Sequence, residues 1–120
     1  MTRTIVNELG TITISEDVIA TIAGLAAVES YGLVGMSSRK LTDGIVELLG
    51  RESLGKGVEI GEENGQLHID VHIIVSYGIK ISEVAQNVIN QVRYAVETMT
   101  GLKVARVNVN VRGVKLTARK

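Results

Sequence analysis

The run Val58-Glu59-Ile60-Gly61-Glu62-Glu63-Asn64-Gly65-Gln66-Leu67-His68-Ile69-Asp70-Val71-His72-Ile73-Ile74-Val75-Ser76-Tyr77 decides the fold. Asn64-Gly65 is the pair a two-residue type I′ turn asks for, because both positions need positive φ. Such a turn sets Glu63 opposite Gln66, hence Ile60 opposite Ile69, Glu59 opposite Asp70 and Val58 opposite Val71. This register collects Val58, Ile60, Leu67, Ile69, Val71, Ile73 and Val75 on one face; a slip of one residue would scatter them. His68, Asp70 and His72 fall on the other. A sheet that alternates in this way is covered on one side only.

Downstream, Gly78 ends the strand and Ser82-Glu83 opens a long helix to about Thr100. Its apolar stripe is Ile81, Val84, Ala85, Val88, Val92, Ala95, Val96 and Met99, and Gly101 stands at the C-cap. A last strand alternates Val107, Val109 and Val111 with Arg106, Asn108, Asn110 and Arg112. One helix between two strands favours a right-handed crossover, which makes the strands near 67–76 and 103–112 parallel. Upstream, residues 4–14 read as extended, with an interruption at Gly10. Ser15-Glu16-Asp17 is a helix start, followed by Val18, Ile22 and Leu25/Ala26 at helical spacing up to about Ser30. Ala23, Gly24, Ala26 and Ala27 thin this helix for a close approach. Leu33-Val34-Gly35-Met36 is a short strand. Leu41, Ile45, Leu48 and Leu49 predict a second helix near 42–50, and Gly50, Gly55 and Gly57 a mobile loop after it. The order is β-α-β-α-β-β-α-β. The expected architecture is a two-layer α+β sandwich: a mixed sheet of four or five strands with helices on one face. Residues 1–114 form one domain and 115–120 a basic tail.

Composition narrows function by exclusion. The chain has 120 residues, 45% of them hydrophobic, with thirteen basic and thirteen acidic side chains. It lacks Cys, which removes disulfides, thiolate metal sites and cysteine catalysis. It also lacks Phe and Trp and has three Tyr, which leaves little to stack nucleic-acid bases. The start carries no apolar run of the secretory kind. The longest uncharged apolar stretch, 18–28, is eleven residues, against about 20 for a bilayer span. These features predict a soluble cytoplasmic protein. The charges are segregated: all thirteen acids lie at or before Glu97, and six of the bases follow it. Such a dipolar chain bears on association and anionic surfaces rather than on fold.

No motif carries a reaction. Gly50-Arg51-Glu52-Ser53-Leu54-Gly55-Lys56-Gly57 nearly matches a phosphate-binding loop, but Gly57 has no hydroxyl for magnesium and the flanking elements come in the wrong order. His68 and His72 lie about 13 Å apart along one strand, whereas two imidazoles on one zinc need nitrogens within about 4 Å. They read as a solvated face. Glu59 beside Asp70 is an unfavourable like-charge pair, and Arg106 or Arg112 is expected alongside to neutralise it. Gly32-Leu33-Val34-Gly35 fits the G-x-x-G of KH domains, though its apolar middle looks like a buried strand. No G-x-S-x-G is present. The reading is therefore non-enzymatic, with no catalytic residue, cofactor or metal. Two surfaces remain for interaction: Gln86, Asn87, Asn90 and Gln91 on the long helix, uncharged and so cheap to desolvate, and the open sheet face, polar with both signs of charge and expected to self-associate. The basic set Arg106, Arg112, Lys115, Arg119 and Lys120 is expected to meet the acidic body of a neighbour or an anionic surface.

Several segments together resemble the alkaline shock protein family of Gram-positive bacteria. They are Gly10-Thr11-Ile12-Thr13-Ile14-Ser15 with Val18-Ile19-Ala20; Tyr31-Gly32-Leu33-Val34-Gly35-Met36; Asp43-Gly44; and His68-Ile69-Asp70 running into Ile73-Ile74-Val75-Ser76-Tyr77-Gly78. Ile81-Ser82-Glu83-Val84-Ala85, Thr100-Gly101-Leu102 and Val107-Asn108-Val109 complete the match, which spans nearly the whole chain and is nearest the family's short members. The resemblance implies a non-enzymatic protein of envelope stress or cell-wall homeostasis. It further implies self-association, docking to a membrane-anchored family relative at the inner face of the membrane, and a fatty-acid (acyl) or dihydroxyacetone-type kinase as a partner. DNA is not expected as a partner. The alternative is a small RNA-binding module using Gly32-Leu33-Val34-Gly35 and the basic C-terminal segment.

Overall fold

The structure, a computed structural model, describes residues 2–37 and 51–116. The helix expected over 42–50, the Asp43-Gly44 segment, Arg119 and Lys120 lie outside the described residues. In chain order the elements are β1 (Thr2–Asn7), β2 (Gly10–Ser15), α1 (Glu16–Val28), β3 (Leu33–Met36), a 3₁₀ segment (Arg51–Gly57), β4 (Val58–Glu63), β5 (Gln66–Ser76), α2 (Ile81–Thr100) and β6 (Val104–Lys115).

The hairpin forms in the expected register, with Glu59 opposite Asp70, Ile60 opposite Ile69 and Val58 opposite Val71. Asn64 and Gly65 both adopt positive φ, 54° and 80°, as a type I′ turn requires. β5 is the central strand. β6 runs parallel along one edge, while β3 and β4 share the other, both antiparallel to β5. β4 pairs with 66–71 and β3 with 73–75, so the two form one interrupted row. The Ser37 N–H donates to the His72 carbonyl at 2.9 Å and bridges the gap between them. The result is a mixed four-stranded sheet, and a separate two-stranded sheet made by β1 and β2.

The helices cover one face. Leu67, Ile69, Val71, Ile73 and Val75 are all buried there, each burial contributing about 1.5–3 kcal/mol. Opposite them, α2 buries Val84, Val88, Val92, Val96 and Thr100. Its C-terminus closes on Gly101 at φ 77°, and the Glu97 carboxylate accepts from the Val104 N–H at 2.9 Å, fixing the turn into β6. Ile81 and Met99, placed in the expected stripe, are exposed. The buried residues repeat every four, and Ile81 and Met99 stand off that row.

α1 is capped as expected, with the Ser15 hydroxyl accepting from the Val18 N–H at 3.3 Å. Its buried row is Ile19, Ala20, Ala23, Gly24 and Ala27, one position off the row read from sequence, and Val18 is exposed. Small size decides this. A Cβ on Gly24 would lie 3.0 Å from the Leu54 carbonyl oxygen, so the thin side of the helix is the one that comes close. Leu54 also bears on 51–57, read from sequence as a mobile loop: it is buried, and around it the chain makes short 3₁₀ turns on either side of a kink at Ser53.

Two further departures concern strands, and one expectation holds. Residues 2–15 form a hairpin rather than one extended stretch, because the Asn7 side chain accepts from the Leu9 and Gly10 N–H groups and turns the chain. Leu33–Met36 is the expected short strand, β3, paired to β5, so the G-x-x-G segment lies in the sheet rather than in an open loop. β6 reaches Lys115, and the Tyr77 N–H donates to its carbonyl at 3.0 Å, so this residue belongs to the sheet rather than to a tail.

Gly32 has φ 91°, and a Cβ there would lie 2.7 Å from the buried Val84 Cγ2, whereas Gly65, at φ 80°, has open space. Each Gly→Ala substitution costs about 1–3 kcal/mol from backbone strain. Gly32→Ala adds the clash and is expected to lose more stability than Gly65→Ala in urea unfolding. Equal losses would mean that Val84 gives way.

Candidate interaction surfaces

The face of the sheet turned away from α1 and α2 is built, among the described residues, from alternate residues of three rows. β4 contributes Glu59 and Glu63, β5 His68, Asp70 and His72, and β6 Arg106, Asn108, Asn110 and Arg112. The like-charge pair Glu59–Asp70 does sit side by side, and both arginines lie on its face of the sheet. The bond to Asp70, however, comes from Asn108, whose amide donates to the carboxylate at 2.8 Å and meets His68 Nε2 at 2.9 Å. Arg106 reaches across β5 to Glu63 at 2.6 Å, and Arg112 Nε donates to His72 Nδ1 at 3.1 Å. A short amide fits beside Asp70 where a guanidinium overshoots it.

His72 departs from the solvated-face reading: it is 5% exposed. It stands on the middle strand between Arg112 of β6 and Glu59 of β4. Accepting from Arg112 at Nδ1 places its proton on Nε2, which faces Glu59 across 3.8 Å, beyond hydrogen-bond reach. Burial, and then the adjacent Arg112 charge, hold its pKa below the usual histidine value against the opposing pull of Glu59 and Asp70. The ring is therefore neutral at neutral pH.

The second surface lies on the opposite side of the molecule. Gln86, Asn87, Asn90 and Gln91 are exposed along α2, and the Gln86 amide donates to Asn90 Oδ1 at 3.1 Å. Tyr94, exposed and one turn further on, extends this uncharged stripe and is missed by sequence reasoning; its position four after Asn90 is the signal. The structure thus does not gather the expected interaction residues into one site. Gln86 and Asn90 stand on the helical layer, Arg106 and Arg112 on the open face of the sheet, and Lys115 at the exposed end of β6.

Other features are less directed. An open cleft of about 690 Å³ is lined by residues that include Glu16, Asp17, Ser53, Lys56 and Glu59. Among the described residues no three His, Asp or Glu are arranged to hold a metal ion, and no helix is long and apolar enough to cross a membrane. The β1–β2 hairpin is tied to β4 by Arg3, which donates to Glu62 at 2.8 Å and to the Gly61 carbonyl at 3.1 Å. Its Val6 and Leu9 are exposed.

This sheet-and-helix frame carries a recognisable sequence. The model of the alkaline shock protein 23 family, described as having a cell envelope-related function, matches residues 4–116. The chain belongs to this family. YloU of Bacillus subtilis (strain 168) is 51% identical over 109 residues, covering 90% of this chain and 91% of that protein. Spy1614 of Streptococcus pyogenes serotype M6 is 39% identical, covering 97% of each. A stress response regulator gls24 homologue of Streptococcus pyogenes serotype M3 is 29% identical over 106 residues, covering 88% of this chain but 59% of its own length. The family resemblance read from the sequence is therefore correct. Among solved structures, a variant of MamM-CTD aligns at TM-score 0.48 with 12% identity, covering 86% of this chain and 99% of that one.

The buried neutral histidine has a consequence for stability. Below the ordinary value of 6.5 the unfolded chain takes up a proton that the native ring resists, so stability is lost as pH falls, at no more than about 1.4 kcal/mol per pH unit. Urea unfolding at pH 7 and pH 5 should show this loss, and His72→Gln should reduce it. An unchanged pH dependence in the variant would locate the titration elsewhere.

Proposed function

We propose that this chain is a non-enzymatic scaffold or adaptor in envelope stress and cell-wall homeostasis, associating with itself and docking to a membrane-anchored partner from the cytoplasmic side. The observation that carries the reading is the family match, with its cell envelope-related description, on a chain whose distinctive chemistry lies on its surfaces. The name of the gls24 homologue, a stress response regulator, supports the stress context.

The two surfaces divide the work. The α2 stripe of Gln86, Asn87, Asn90 and Gln91 with Tyr94 is uncharged and gives up water cheaply, and an exposed tyrosine among short amides is the composition of an interface core. It serves self-association. The basic β6 and the residues after it, Lys115, Arg119 and Lys120 among them, serve the partner. Long-range attraction from such a segment weakens with salt.

Light scattering at low and high salt tests the division, using the full chain, a chain ending at Leu116 and Asn90→Arg. The expected result is a multimer that persists in high salt and after truncation, and falls to monomer when a charge enters the α2 stripe. A multimer that dissociates with salt or truncation would move self-association to the basic segment. A monomer under every condition would overturn self-association.

A further inference from the structure

The open side of β6 has a chemistry more specific than positive charge. Odd-numbered residues of β5 turn their main chain toward β6: the Leu67 N–H donates to Lys103 O, and the Tyr77 N–H to Lys115 O. Even-numbered ones turn the other way, as His72 O with Ser37 N and Ser76 N with Gly32 O. In a parallel ladder the residues matched to the odd set turn their own N–H and C=O outward. Those residues are Val107, Val109 and Val111, matched to Ile69, Val71 and Ile73. No other strand pairs with β6 among the described residues.

Register shifts bracket this stretch, between Leu67 and His68 and between Ile73 and Ile74 on the β5 side. Before it, Arg93 of α2 donates to the Ala105 carbonyl at 3.4 Å and covers the edge. Residues 107–111 are thus a regular, open edge about as long as an ordinary strand. Its two sides differ. Val109 and Val111 are half-buried on the helical side, so a strand laid alongside would complete their cover. Arg106, Asn108, Asn110 and Arg112 stand on the other side, and no acid occurs anywhere after Glu97.

We infer that β6 is a strand-addition site for an extended partner segment in which apolar residues alternate with acidic ones. Main-chain bonds to Val107, Val109 and Val111 would hold it, the apolar side chains would cover Val109 and Val111, and the acids would meet the basic row. A second copy of β6 is a poor occupant: antiparallel pairing about Val109 sets Arg106 of each copy against Arg112 of the other. The β4 row of a second copy is acidic, but its Glu63 is already held by Arg106 of its own copy. The inference rests on the docking role proposed above and supplies the chemistry of the docked segment.

The test uses the full chain and a synthetic peptide of about ten residues alternating valine with glutamate, long enough for one strand. Fluorescence anisotropy is compared with a peptide of the same composition in blocks and with one N-methylated on alternate residues. The chain variant is Val109→Pro. Its missing N–H faces outward on an edge, where proline is tolerated, and the ladder to β5 stays whole. The expected result is binding of the alternating peptide, with slowed amide exchange at Val107, Val109 and Val111. N-methylation and Val109→Pro should each weaken it by about tenfold or more, the worth of one or two hydrogen bonds. If Val109→Pro does not fold, the N-methylated peptide alone decides.

Equal binding of the blocked peptide, or of anionic vesicles that compete with the alternating one, would reduce the edge to a charged patch and overturn the inference. No binding at all would show an edge merely guarded by its charges, and would overturn it equally. In either case the light-scattering result for Asn90→Arg would still stand or fall separately, so the scaffold reading is judged on its own.

Discussion

Everything in this molecule depends on one strand having one dry face. Leu67, Ile69, Val71, Ile73 and Val75 of β5 are all buried, and every other element of the main sheet is placed by its relation to them. The long helix lies over them with a repeat of four, α1 comes close through its alanines and Gly24, and three strands pair along the two edges. Because the alternation has period two, the same strand must present Asp70 and His68 to the other side. The polar face is therefore a consequence of the core, not a separate design.

That face has to solve its own problem. Two carboxylates, Glu59 and Asp70, are forced side by side by the register that buries their neighbours. The structure answers with neutral groups rather than cations. Asn108 bonds Asp70, and the neutral His72 ring separates Glu59 from Arg112. The arginines are thereby spread to the ends of the row, Arg106 toward Glu63 and Arg112 toward His72. A buried histidine kept neutral between opposite charges makes this patch sensitive to acid.

The long-range framework was legible in the sequence wherever periodicity and turn chemistry agreed. Asn64-Gly65 with its flanking alternation specified the hairpin register residue by residue, and the helix between β5 and β6 specified the parallel pairing. Legibility failed where small or polar residues do unexpected work. The buried row of α1 is set by how close Gly24 can come to Leu54, a tertiary fact that a hydrophobicity pattern ranks against Val18. The turn at Asn7 depends on one side-chain oxygen, in a stretch whose β-rich composition reads as continuous strand. His72 is buried by its place on the middle strand, which no single-strand pattern reveals. As for the interaction residues, their types could be read, but not that the structure puts them on opposite sides.

The charge segregation acquires a physical meaning once the rows are placed. Acidic β4 and basic β6 are the outer rows of the sheet, one on each side of β5, so the dipolar sequence becomes a sheet with one acidic and one basic margin. The two margins are not equivalent. On β4 the acids are already engaged, Glu62 by Arg3 and Glu63 by Arg106. On β6 the middle of the edge keeps its main-chain groups, and two half-buried valines stand beside them. A surface whose side-chain charges are partly satisfied internally, while its backbone is not, selects for partners that can supply backbone. That requirement is met by an extended peptide and not by a polyanion or a lipid headgroup, which is why the inferred docking is placed on the edge of the sheet rather than on its charge alone.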